Sequence, residues 1–140
     1  MTVTELVAQL LADLGCGTYT PGATSGDIYL HALPQTPDIA LAVALYPGAA
    51  SDSRLPYDEV RAQVRTRGTT ADSRISEQRA QLAYDALIGV TNRTLSDGAW
   101  LSLCTPVQGG PIYMGRDESG RHEHVVNLAL EIHRPTANRP

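Results

Sequence analysis

Apolar residues in the first fourteen positions recur at helical spacing. Val3, Leu6, Val7, Leu10, Leu11 and Leu14 form one stripe, the pattern of a helix that buries a single side. Thr2 and Glu5 stand three apart at its start, where hydroxyl and carboxylate can each close a free backbone amide, and Gly15 is placed to stop it. A second helix is predicted from Asp72 or Ser73 to Gly89. Ile75, Leu82, Ala83, Ala86 and Val90 mark its inward stripe, with Leu87 beside it.

Elsewhere the period is two. Asp27 to Leu33 reads as a short strand, and Pro34 to Asp38 turns the chain. In the next strand Ile39, Leu41, Val43 and Leu45 point one way, and Ala40, Ala42 and Ala44 the other, which suits a central strand with a helix packed closely on the alanines. In EVRAQVRTR, Val60, Ala62, Val64 and Thr66 face the core, and Arg61, Gln63, Arg65 and Arg67 face away. Asp97-Gly98 marks a tight turn before Trp100 to Thr105, with Leu101 and Leu103 sharing a face. Ile112 to Met114 extends briefly, RDESGR turns, and Val126, Leu128, Leu130 and Ile132 line one face of the closing strand. Cys16 to Gly26 and Pro47 to Tyr57 read as irregular links, the second a loop able to order on assembly. The predicted fold class is α+β: a small mixed or antiparallel sheet with two helices packed on one face. One domain spans residues 1–134, and residues 135–140 form a flexible tail.

Composition narrows the function. Fifteen acidic residues against eleven basic ones give a net charge of −4, which disfavours gripping a nucleic-acid duplex. Every basic residue is arginine, which favours forked pairing with carboxylates. Cys16 and Cys104 are the only cysteines and lie in different elements, so two reduced, buried thiols are expected. No apolar run is long enough to cross a bilayer, which points to a soluble, intracellular chain with no membrane partner.

Candidate chemistry is thin. His122 and His124 share a face of the closing strand and, with Asp117 or Glu123, sketch a metal site for a small metal-dependent hydrolase, but His133 has the opposite parity to His124. Ser53 or Cys104 could serve a nucleophilic triad only on paper, because neither sits on a strand-to-helix elbow. No catalytic residue, cofactor or metal is assigned. The charge lies in two places, the row Arg61, Arg65, Arg67 and the turn Arg116, Asp117, Glu118, Arg121. Guanidinium groups in such numbers need carboxylate partners or water. These seven residues are the candidate interface, and a DNA-binding module built on the arginine row is set against the negative net charge.

The ordered set DIYLHALPQTPDIALAVALYPG, LPYDEVRAQVRTRG, AYDALIGV, LSDGAWLSL and PIYMGRDESGRHEHVVNLALEIHR, spanning Asp27 to Arg134, resembles the minor capsid or tail-completion family of tailed bacteriophages. That family is similar in fold to phage tail terminators. The resemblance implies a structural virion protein and no enzyme. Its subunits would form a ring, commonly of six, that caps the tail tube and presents a joining surface to the head and neck. The implied partners are further copies of itself, the major tail tube protein and a neck or head-completion protein. Viral DNA would pass through the ring without sequence-specific contact. The implied place is the virion tail and neck, after assembly in the host cytoplasm. A head-closure or connector-associated neck protein is the alternative.

Overall fold

In the computed structural model, residues 1–22 and 25–140 are described. The first link, Cys16 to Gly26, is therefore described except at positions 23 and 24, which lie outside those residues. Helix α1 (Val3–Asp13) begins with the expected reciprocal cap: Glu5 N donates to Thr2 Oγ1, and Thr2 N donates to Glu5 Oε1. Strands β1 (Ile28–Leu30), β2 (Ala40–Tyr46) and β3 (Tyr57–Arg67) follow, then helix α2 (Ser73–Leu87) under an Asp72 cap. Strands β4 (Thr91–Thr94), β5 (Trp100–Pro106), β6 (Ile112–Arg116) and β7 (His122–His133) complete the chain. Strand β4 was not anticipated, because TNRT carries no apolar alternation.

The seven strands form one sheet in the order β1-β2-β3-β7-β5-β4, with β6 also on β7. Among the described residues only the β1–β2 pair is parallel. Both helices feed one core with Leu41, Val43, Val64, Val126, Leu128, Leu130 and Ile132. The architecture is thus α+β with a mostly antiparallel sheet. One face of the sheet carries the helices, and the other, called here the open face, does not.

Three expectations about facing change. Ala40, Ala42 and Ala44 of β2 do not receive a helix: they pair with Arg67, Arg65 and Gln63 of β3 on the open face. Small methyl groups there leave room for long arginine stems to lie over the sheet. On α2 the buried set is Ser76, Ala80, Ala83 and Leu87, and Leu82 stands exposed. The alanines let the helix sit close to the strands, and a stripe read from bulk alone is misplaced by part of a turn. On β5 a register shift between Leu101 and Leu103 inserts one extra residue. Beyond such a bulge every side chain changes face. Leu101 is fully buried, Leu103 is 41% exposed on the open face, and Cys104 returns to the core.

The irregular segments are also tied down. Asp58 is only 7% exposed and receives Ser51 Oγ, Arg134 Nη2 at 3.4 Å and Arg139 Nη2 at 2.9 Å. Arg139 donates as well to Leu55 O and Tyr57 O. The tail expected to fray therefore folds back on the start of β3, and the 47–56 loop is pinned by the same carboxylate. Because the bulge decides the environment of the two leucines, Leu101→Ala is expected to cost about 2–5 kcal/mol of stability. Leu103→Ala should stay within about 0.5 kcal/mol. Urea unfolding followed by circular dichroism measures both.

Candidate functional site

The candidate residues stand at one end of the long β3–β7 ladder and along its open face. Cross-strand pairing of β3 on β7 runs without a break from Tyr57↔His133 to Arg67↔Glu123. Side chains alternate across a strand, so Glu59, Arg61, Gln63, Arg65 and Arg67 share the open face with Glu131, Ala129, Asn127, Val125 and Glu123. Thr66 marks the helix side, since its Oγ1 donates to Ser76 O on α2 at 2.7 Å.

The arginine row divides into different environments. Arg61 is partly exposed and meets Glu59 at 3.7 Å. Arg65 pairs with Glu123 at 2.9 Å. Arg67 is only 3% exposed, yet its hydrogen-bond partners are neutral: Nε donates to Asp38 O at 2.9 Å and Nη2 to Pro37 O at 2.6 Å. Burial pulls its affinity for its proton below the ordinary arginine value, the neighbouring Arg121 charge adds to this, and Asp117, Glu123 and Asp38 oppose it. A buried guanidinium was expected to require a carboxylate. Two backbone carbonyls of the 31–38 loop fill that place for Arg67.

The β6–β7 turn is organised in the same way. Asp117 accepts from Ser119 N, Arg121 N and Arg121 Nε at 3.0, 2.8 and 2.8 Å. Burial alone would raise the Asp117 carboxyl, but these donors hold it below the usual carboxylate range. Arg121 is 6% exposed and reaches across to Gln35 O at 2.6 Å and Asp38 Oδ1 at 3.1 Å. Arg67 of β3 and Arg121 of the β6–β7 turn thus clasp one loop from two sides. Arg116 and Glu118 remain exposed, Arg116 donating to Thr70 O and Gly120 O.

The structure gathers Arg65, Arg67, Asp117, Glu118 and Arg121 around an open groove of about 480 Å³ beside the 31–35 segment. Arg61 and Arg116 lie outside it. Sequence reasoning missed Gln35, which lines the groove, and Asp38, whose carboxylate pairs with Arg121 beside it.

The histidines do not converge. His122 meets Tyr113 Oη at 2.8 Å through Nδ1, and His124 is buried with Nδ1 at 2.7 Å from Ser76 Oγ and Nε2 at 3.8 Å from Glu77. His133 lies on the other face, between Tyr57 and Trp100. Among the described residues no three His, Cys, Asp or Glu side chains group to hold a metal ion. In the Ser76–His124–Glu77 trio, Ser76 and His124 are buried between α2 and β7, and Glu77 of α2 is exposed. Burial pushes the Cys104 thiol up to about 12, so it is a thiol and not a nucleophile near neutrality. Among the described residues, no helix is long and apolar enough to cross a membrane.

The two kinds of arginine separate experimentally. Arg67→Ala strands two carbonyls and should cost about 2–4 kcal/mol, whereas Arg61→Ala should change stability by less than about 0.5 kcal/mol. Thermal or urea unfolding of both variants checks this.

His124 supplies a pH signature. Burial lowers its pKa from 6.5, His122 adds to that and Glu77 opposes it. As pH falls through the unfolded value, the unfolded chain takes up the proton first. The stability tied to neutral His124 is therefore complete above about pH 6.5 and declines below it, until the folded imidazole also protonates. Unfolding titrations at pH 7.5 and 5.5 (about one unit either side) should show a smaller loss in His124→Gln than in the unsubstituted protein.

No curated protein matches this chain. The family described as bacteriophage tail terminator protein matches residues 10–134, from within α1 to the end of β7. Members of such a family are structural components of the virion, not enzymes. On that match across nearly the whole fold, the chain belongs to the bacteriophage tail terminator family.

Proposed function

We propose that this protein ends growth of the phage tail. Copies close into a ring, six in number, on the last layer of tube protein. The ring denies further tube subunits their template and offers its other surface to a neck or head-completion protein, while viral DNA passes through the centre. It assembles in the host cytoplasm and remains in the virion.

One observation supports the reading beyond family membership. Strand β6 pairs with β7 alone, and Ile112, Tyr113 and Met114 on it are 44%, 50% and 47% exposed. An unpaired strand edge bearing large apolar side chains is a template for another chain. Among the described residues, the other free edges belong to three-residue β1 and polar β4. A closed ring needs two different, complementary surfaces on each subunit, and β6 with the adjoining Arg116 turn supplies one.

Tube assembly with and without the protein tests this by tube length in negative-stain images. The unsubstituted protein should halt elongation, and tubes that lengthen unchecked in its presence would end the proposal. Arg116→Glu alters an exposed side chain, so thermal unfolding should be unchanged while capping weakens by about tenfold. Normal capping by that variant would remove Arg116 from the docking surface. Arg121 is unsuited to the same test, because its guanidinium holds the 35–38 turn.

A further inference from the structure

Residues 47–55 between β2 and β3 are all exposed, as are 135–138 of the tail. Neither segment sends a side chain into the apolar core. Their order comes from polar ties, and those ties converge on one place. Arg134 N donates to Pro56 O at 2.7 Å, and Thr136 and Arg139 exchange backbone hydrogen bonds at 3.0 and 3.1 Å. That tight turn carries one long side chain back to the loop. Arg139 Nε donates to Leu55 O at 2.7 Å, and Nη2 reaches Tyr57 O at 3.0 Å and Asp58 Oδ1 at 2.9 Å. Ser51 Oγ donates to the same Asp58 oxygen. Among the described residues, the loop's other side-chain bonds are internal: Arg54 N and Leu55 N both donate to Asp52 Oδ1.

The loop also lies against the sheet. A Cβ at Gly48 would stand 3.2 Å from Glu59 O and 3.3 Å from Arg61 Cγ. Arg61 Nε, 3.6 Å from the same point, is buried with no hydrogen-bond partner among the described residues, and Arg134 Nε shares that state. A buried donor without an acceptor is costly. Lifting the loop would return Arg61 Nε to water, which works against the ties that hold the loop down. The ladder itself begins beyond the loop, at Tyr57↔His133, and does not need it. Segments with few buried apolar contacts open at a smaller cost than the whole fold.

We propose that residues 47–56 are a lid over the start of β3 and that the C-terminal segment is its latch. Breaking the Arg139–Asp58 contact opens the lid while the sheet stays folded, and the opening bares Arg61 on the open face. The latch is a property of the single chain and holds whether or not copies close into a ring.

Trypsin supplies the test. Arg54 lies inside the lid, whereas Arg134 and Arg139 are each followed by proline, a bond the enzyme resists, so the latch stays on the chain. When the lid recloses quickly, the cutting rate follows the open population. Arg74, exposed on α2 and paired with Asp72, is the internal control. In full-length Arg139→Ala the initial rate after Arg54, read from fragment masses, should rise at least about tenfold. The rate after Arg74 should not change, and circular dichroism should remain that of the folded sheet. Asp58→Asn weakens the same contact from the β3 side. The double variant should gain much less than the product of the two single effects, because both act on one contact.

Equal rates after Arg54 in the unsubstituted chain and in Arg139→Ala overturn the inference. So does a rise after Arg54 matched by an equal rise after Arg74, which would make the tail a support of the whole sheet. Effects that multiply fully in the double variant overturn the Arg139–Asp58 contact as the latch.

Discussion

The continuous antiparallel ladder between β3 and β7 is the constraint on which the rest depends. Its eleven pairs, from Tyr57↔His133 to Arg67↔Glu123, fix which residues see the helices and which see the open face. A slip of one residue would carry Val64, Val126, Leu128 and Leu130 out of the core and drive arginine and glutamate into it. The apolar set on one side therefore specifies the register, and the register then places every charged residue on the other. Neither face can be altered independently of its opposite.

Much of that ladder was legible because alternation is a local signal. EVRAQVRTR and HVVNLALEIH both show it without interruption, and the capped first helix announced itself through Thr2, Glu5 and its leucines. What failed depended on a neighbour. The β5 bulge is a misfit between two strands, so nothing in WLSLCT alone says that Leu103 will turn outward. The inward side of α2 is chosen by how closely a helix can approach the sheet, and small Ser76, Ala80 and Ala83 win over larger Leu82. At the candidate site the charged positions were visible, but their partners were not. Carbonyls of Gln35, Pro37 and Asp38 carry no charge pattern, and they decide which arginines are structural.

An all-arginine basic complement suits this arrangement. A guanidinium presents several donors in one plane, so Arg67 and Arg121 can each hold two groups of the same loop, and Arg139 can bind two carbonyls and a carboxylate together. A lysine at any of these places would offer a single charged point. The chain consequently uses similar side chains for two purposes: buried ones staple loops and tail to the sheet, and half-exposed ones keep the open face polar. Their separation is set by depth, not by residue type.

The irregularity in β6 has a consequence for the solitary subunit. Between Tyr113 and Gly115 the strand gains an unmatched residue, Met114, and Gly115 takes φ +90, a left-handed backbone conformation that glycine adopts without strain. The resulting kink spoils the straight, flat border that would let unrelated or misaligned molecules zip together. Crowded, newly made chains thereby gain protection against clumping, while a correctly shaped counterpart can still follow the bend.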